Sequence, residues 1–472
     1  MSPVLVNTTL LQKSFSGTAG ICEICFIGIG GIGMSALARF FNERGVTVSG
    51  YDKTKTVLTQ QLENEGMHIH YEDSIQWVRK QADVVVYTPA IPADHLELNW
   101  YKENGYTIWK RSDLLQRITE NSLNICIAGT HGKTTTSTLV AHILRDSGWG
   151  CNAFLGGIAA NYNSNYWSST SNCCVVEADE YDRSFLKLHP QLAVITAMDA
   201  DHLDIYGTAA AMEEAFMQFS ELVAPDGVLF YKKGLKKASA LRATQKRSYH
   251  LHDTTADAYA TDLRVEKGSY HFSLQIDGKL LSNFQLSMGG LHNVENTVAA
   301  VSIAHTLGVD EEKIRSAVAS FRGVQRRFEV IWKDEQKVLI DDYAHHPAEI
   351  EALLQGVRSL YGNTPCTILF QPHLFSRTRD LAAAFGQALS AADQIVLLPI
   401  YPAREQPIAG VTSTIIQQHI TTKPVLQVEK SDVLPWMAAA LKNRTTPTVY
   451  VTAGAGDIDQ FLPALTALMK EN

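Results

Sequence analysis

Leu123-Asn124-Ile125-Cys126-Ile127-Ala128-Gly129-Thr130-His131-Gly132-Lys133-Thr134-Thr135 is the stretch on which the fold turns. Leu123 to Ala128 reads as a buried strand, Gly129 to Lys133 as a loop, and the residues from about Thr134 to Asp146 as a helix. Strand, glycine loop and helix in that order form a phosphate cradle. The glycines let backbone N–H groups close around phosphate oxygens, and the helix N-terminus adds positive partial charge. Lys133 can then reach terminal phosphates, and the Thr134 hydroxyl can ligate Mg²⁺. Gly129, Thr130, His131, Gly132, Lys133, Thr134 and Thr135 are therefore candidate phosphate ligands. The strict pattern needs a glycine where Ile127 stands, so the loop is a shortened variant.

Upstream, Ile21 to Ile27 is an apolar run, followed by Gly28-Ile29-Gly30-Gly31-Ile32-Gly33 and a helical pattern from Ile32 to Arg44. Val46 to Gly50 is a second strand, with Asp52 just beyond it. Gly28, Gly30 and Gly33 match G-x-G-x-x-G, and Asp52 stands where a ribose-binding acid is expected. The motif implies that a diphosphate fits without saying which one. A further strand, Ala82 to Tyr87, stops at Thr88-Pro89, because proline cannot continue the pairing.

Downstream, Cys173 to Glu177 and Leu192 to Ala197 read as buried strands. Asp262 to Met288 alternates in short runs around Asp277-Gly278, a hairpin signal, and a helix follows from about Asn293 to Leu307. A last α/β unit starts near Gly323, with strands Val338–Asp341, Thr367–Phe370, Gln394–Pro399 and Thr448–Thr452. The fold class is α/β in three domains: a Rossmann-like segment 1–120, a central phosphate-loop segment 121–323 with added antiparallel β structure, and a Rossmann-like segment 324–472.

Composition agrees with a globular chain. Of 472 residues, 45% are hydrophobic and 19% charged, enough for sizeable cores. A net charge of −8 gives no footprint for nucleic acid, which needs clustered Lys and Arg. No apolar stretch approaches the ~20 residues that span a bilayer, so no membrane insertion is expected. Seven cysteines are too few and too irregular for a disulfide scaffold, which points to a reducing cytoplasm. Cys22 and Cys25 form a C-x-x-C, but three residues apart on a strand they would not share a face.

Acidic and basic groups collect at strand ends, where open α/β sheets bind ligands. Glu177-Ala178-Asp179-Glu180 closes one strand, and Glu177, the first acid after the apolar run, is the chosen Mg²⁺ ligand. Asp199-Ala200-Asp201-His202-Leu203-Asp204 closes the next, and the His202 imidazole would suit a second divalent ion. Asp341-Asp342-Tyr343-Ala344-His345-His346-Pro347 and Gln371 to Asp380 lie at two strand ends of the last unit. There Arg377 or Arg379 could hold a carboxylate bidentately. Each cluster alone could be a solvated turn or a surface ion pair.

In this order the motifs resemble the Mur ligases of bacterial cell-wall synthesis. The likeness runs through Gly28–Met34, Gly129–Thr135, Glu177–Phe185, Asp199–Tyr206, His292–Asn296, Arg326–Glu329, Asp341–Pro347 and Gln371–Asp380, nearly the whole chain. The resemblance implies that the first domain binds a UDP-sugar through Gly28, Gly30, Gly31, Gly33, Asp52 and Thr88. It implies that the central domain binds ATP, with Lys133, Glu177 and His202 catalytic and Thr134, Glu177 and His202 holding Mg²⁺, or Mn²⁺ in its place. His292, Asn293 and Asn296 would line the adenine side, and Arg327 and Asp342 would reach the nucleotide. Tyr343, His345, His373 and Arg377 would form an amino-acid pocket. Several family members carry a lysine, modified to a carbamate, on the helix after the Asp-His motif. Thr208 to Leu222 has none, which fits the branch that adds L-alanine to UDP-N-acetylmuramate. Leu374 departs from the family, which commonly has arginine there. Three alternatives stay open: a ligase returning a recycled peptide to the same UDP-sugar, a nicotinamide-dependent dehydrogenase built on Gly28 to Gly33, and a non-catalytic nucleotide-binding regulator.

Overall fold

The structure, a computed structural model, describes residues 20–199, 203–403 and 405–471. Its strands form three sheets. The first contains β1 (Glu23–Ile27), β2 (Thr47–Tyr51), β3 (His68–His70), β4 (Val84–Tyr87) and β5 (Ile108–Lys110), in the order β3-β2-β1-β4-β5 and parallel throughout. Ile24, Phe26 and Ile27 are fully buried. The strand order reverses between β1 and β4, so the crevice at their carboxyl ends opens beside Gly28 and Thr88. Cys22 precedes β1 and is exposed, whereas Cys25 is buried within it.

The second sheet contains β6 (Leu123–Ala128), β7 (Asn152–Ala159), β8 (Ser164–Trp167), β9 (Cys173–Glu177), β10 (Leu192–Ile195), β11 (Val228–Lys232), β12 (Lys246–His250), β13 (Ala258–Glu266), β14 (Ser269–Ile276) and β15 (Lys279–Leu286). Its order is β15-β14-β13-β12-β11-β10-β6-β9-β7-β8. β6 lies between β10 and β9, parallel to both, and every residue of β6 is buried. The carboxyl ends of these three strands therefore meet at Ala128, Glu177 and Ile195. The expected hairpin at Asp277-Gly278 is present, and a second two-residue turn at Lys267-Gly268 precedes it. All four turn residues have positive φ, as tight hairpins require.

The third sheet contains β16 (Glu329–Lys333), β17 (Lys337–Asp342), β18 (Cys366–Phe370), β19 (Gln394–Leu397), β20 (Val425–Gln427) and β21 (Thr448–Ala453). Its order is β16-β17-β21-β18-β19-β20, with only β16 antiparallel to its neighbour.

The chain forms two compact units. One comprises the residues up to Thr261 with Ser273–Ser282 and Glu295–Ser320; the other comprises Asp262–Phe272, Asn283–Val294 and the residues from Phe321 on. Among the described residues no helix is long and apolar enough to cross a membrane, and all seven cysteines are free thiols.

Candidate active site

The phosphate-type loop is locked by its neighbours in the first unit. Gly129 has φ +131°, and a Cβ there would come within 2.1 Å of the Thr196 hydroxyl and 2.8 Å of the Ala197 nitrogen, so only glycine fits. Thr196 donates to the Ala128 carbonyl at 3.1 Å and also to the His131 carbonyl, which ties the loop to the end of β10. Thr130 accepts from the Asp199 N–H at 3.2 Å, and the exposed His131 ring lies 3.6 Å from the Asp199 carboxylate. Gly132 has φ +80° and caps the helix Lys133–Asp146, and Asn296 lies 3.0 Å from where its Cβ would stand. Thr135 is buried in the first turn of that helix.

Lys133 Nζ donates to the Gly129 carbonyl at 2.8 Å and to Glu180 Oε1 at 2.7 Å. Glu180 is fully buried, and burial raises its pKa above the ordinary carboxylate value while the Lys133 charge works against the rise. Thr134 Oγ1 donates to Glu177 Oε1 at 3.1 Å, and the Gly156 N–H donates to Glu177 Oε2 at 3.0 Å. The acidic run thus divides its work, with Glu177 facing the loop threonine and Glu180 facing the loop lysine. The reading of the sequence selected Glu177 alone, because only the turn after β9 decides where Glu180 points.

Among the described residues no cluster of three or more His, Cys, Asp or Glu side chains could hold a metal. Mg²⁺ keeps several waters and usually takes one or two protein oxygens together with substrate phosphates. A hydroxyl and a carboxylate in contact beside a phosphate-type loop are such a donor set. His202, read as a ligand for a second ion, lies outside the described residues.

A cavity of about 510 Å³ runs through this unit. Gly31 and Gly33 line one part of it, Lys133, Glu177 and Gly156 another, and Lys110, Arg111 and Asp179 also border it. Gly30 donates its N–H to Asp52 at 2.8 Å, and Gly28, with φ +89°, has Thr88 Cγ2 3.0 Å from the place of a Cβ. The structure thus brings Gly28, Gly30, Asp52 and Thr88 together, with Gly31 and Gly33 on the cavity wall. Arg111 was not foreseen. Its guanidinium lies against Gly33 and 3.6 Å from Asp179, adding positive charge to the wall. The Lys110-Arg111 pair at the end of β5 was the available signal.

In the second unit, four residues expected to share a pocket do gather. His345 and His373 have ring centroids 6.0 Å apart, Tyr343 lies 5.3 Å from His345, and Arg377 donates toward His373 Nδ1 at 3.5 Å. Burial first, then the neighbouring Arg377 and His345, lower the His373 pKa. Arg379 instead pairs with its neighbour Asp380 at 2.7 Å, which leaves Arg377 as the candidate carboxylate ligand. Leu374 sits before the helix Phe375–Leu389 with φ +70°, uncommon for a side chain branched beyond Cβ. Asp342 accepts from the N–H groups of Phe328 and Ala344, each at 2.7 Å, and burial pushes its pKa up to about 6 against the nearby charge of Arg327. Arg326, which carried no assigned role, donates to buried Asp341 at 3.1 Å and to the Gly454 carbonyl at 2.5 Å. On the helix Leu291–Thr306, Asn293 donates to the Gly289 carbonyl at 2.7 Å, and His292 sits against Gly290.

Comparison with known proteins covers the same span. Residues 23–122 match the family model described as Mur ligase family, catalytic domain; 127–304 match Mur ligase middle domain; 326–456 match Mur ligase, glutamate ligase domain. The chain is 46% identical over 447 residues to a UDP-N-acetylmuramate–L-alanine ligase of Porphyromonas gingivalis, covering 93% of this chain and 97% of that one. It is 44% identical to the protein of that name from Cytophaga hutchinsonii, covering 96% and 97%. Among solved structures, a UDP-N-acetylmuramate–alanine ligase from Thermotoga maritima superposes with TM-score 0.79 at 28% identity, over 95% of this chain and 99% of that one.

Proposed function

Because this chain belongs to the Mur ligase family, we propose that it joins L-alanine to the carboxylate of UDP-N-acetylmuramic acid, using ATP, in peptidoglycan precursor synthesis. The observation that carries this reading is the cavity that runs from the Gly31–Gly33 turn to Lys133 and Glu177. A nucleotide-sugar anchored at the turn would extend its acid toward the phosphate loop. A dehydrogenase would leave that loop, and the carboxylates facing it, without a task.

In the reaction, the sugar carboxylate attacks the γ-phosphorus of ATP, the bond to the β-phosphate oxygen breaks, and ADP leaves. The amine of L-alanine attacks the acyl carbon of the resulting acyl phosphate, loses a proton, and expels inorganic phosphate. Lys133, held ready between Glu180 and the Gly129 carbonyl, moves onto the phosphates and offsets charge as it shifts. Thr134 and Glu177 would hold Mg²⁺, which would neutralise phosphate charge when bound. Tyr343, His345, His373 and Arg377 take the amino acid, with Arg377 on its carboxylate. In this reading segments 1–120, 121–323 and 324–472 serve the UDP-sugar, ATP and the amino acid in turn, and the free thiols persist in a reducing cytoplasm.

The test is phosphate release from ATP with UDP-N-acetylmuramate present while amino acids are varied. Release that requires both the UDP-sugar and L-alanine supports the reading. Release with the recycled tripeptide but not with free L-alanine overturns it in favour of peptide reattachment.

A further inference from the structure

The strands β7 and β8 form an antiparallel hairpin, and each holds a different part of the cavity wall. On β8, Asn165 is fully buried. Its Nδ2 donates to the Ile32 carbonyl at 2.5 Å and to the Ser35 hydroxyl at 3.0 Å, and its Oδ1 accepts from Arg39 at 2.5 Å. Ile32 opens the helix Ile32–Asn42, whose N-terminus follows the glycine turn. Arg39 is fixed in turn by Glu65, which accepts from its Nε at 2.9 Å and from its second terminal nitrogen at 2.8 Å. On β7, Gly156 holds Glu177 through its N–H at 3.0 Å, and a Cβ on Gly156 would fall 2.4 Å from the carboxyl group. The strands pair in register at Phe154–Tyr166 and again at Ala159–Ser164, with the register shifting between those pairs. Gly156 lies in the shifted stretch, where such an irregularity re-aims the backbone. Phe40, Phe154 and Tyr166 pack as an aromatic trio with ring centroids 5.4 to 6.3 Å apart, so the hairpin is also bolted to the helix by apolar contact.

From this linkage we infer that the β7–β8 hairpin couples the glycine-turn helix to the Thr134–Glu177 pair, with Asn165 as the positioning residue. The inference rests on the functional reading above, which puts a UDP-sugar at one end and metal-bound nucleotide at the other. Ordering of the helix N-terminus by a diphosphate is transmitted through Asn165 to the hairpin, and through Gly156 to the orientation of Glu177. Since coupling between two binding equilibria is reciprocal, either ligand tightens the other.

The experiment is calorimetric titration of a non-hydrolysable ATP analogue with Mg²⁺, with and without saturating UDP-N-acetylmuramate, on wild type and Asn165→Ala. Wild type should bind the analogue at least about fivefold more tightly when the sugar is present. In N165A that ratio should fall below about twofold, while analogue affinity without the sugar stays near the wild-type value. A merely structural role would lower the melting temperature or weaken both affinities alike and leave the ratio intact, which would overturn the inference. Arg39→Lys, which shortens the reach to Asn165 Oδ1, should lower the same ratio and serves if N165A does not fold. A wild type that binds both ligands without mutual tightening overturns the inference alone. A wild type that binds no UDP-N-acetylmuramate overturns the functional reading together with it.

Discussion

Lys133 and Glu180 meet at 2.7 Å beside the loop, the carboxylate fully buried and the lysine still bordering the cavity. In the proposed reaction the pair would keep the ammonium on station until phosphates replace the carboxylate as its partner. Lys133→Ala should therefore lower kcat by at least ~100-fold, as loss of a charge stabiliser at a reacting group does; turnover near the wild-type rate would remove the loop from catalysis. Burial raises the Glu180 pKa, so activity should fall as pH drops through a value above the ordinary carboxylate range. Glu180→Gln should lose that acidic limb from its kcat/KM profile, and an unchanged limb would assign it to another group. Asp342 supplies a stability prediction. With its pKa raised from 3.8 to about 6, the folded chain keeps a proton that the unfolded chain releases between those values. Its contribution to stability is complete below 3.8 and is lost as pH rises through about 6, at most ~3 kcal/mol in all. The stability of wild type relative to Asp342→Asn should accordingly decline from pH 4 to pH 7 in denaturant melts, and a constant difference would refute it.

Elements differ in how openly the sequence announces them. β6, its loop and the helix Lys133–Asp146 were legible because an apolar run, paired glycines and a lysine lie within one short window. The hairpin β7–β8 was not, because its partners, Ile32 and Glu177, are remote in sequence. Glu180 was visible as an acid, but its direction depends on the turn that follows β9. Arg326 stood inside a quoted motif, yet only the fold shows it reaching Asp341 and the Gly454 carbonyl. Gly156→Ala tests the hairpin's grip on Glu177. A Cβ 2.4 Å from that carboxyl must displace it, so Mn²⁺ affinity in the presence of a nucleotide should drop ~10–100-fold, as when an orienting partner of a metal ligand is lost. Unaltered Mn²⁺ binding would show that Glu177 does not depend on this contact.

Across the whole molecule, the α/β class and the order of the motifs were legible, because parallel sheets place binding residues at strand ends that the sequence marks with abrupt changes from apolar to polar. The cavity wall at Lys110 and Arg111 carries such a change after Trp109, but that Arg111 faces Gly33 and Asp179 became apparent only in three dimensions. The central claim is that a substrate carboxylate becomes an acyl phosphate at Lys133 before the amine arrives. The most direct test supplies UDP-N-acetylmuramate with ¹⁸O in its carboxylate, together with ATP, Mg²⁺ and L-alanine, and weighs the phosphate released. One ¹⁸O atom in each phosphate is the predicted result, because the attacking oxygen departs with phosphorus; phosphate free of the label would contradict it.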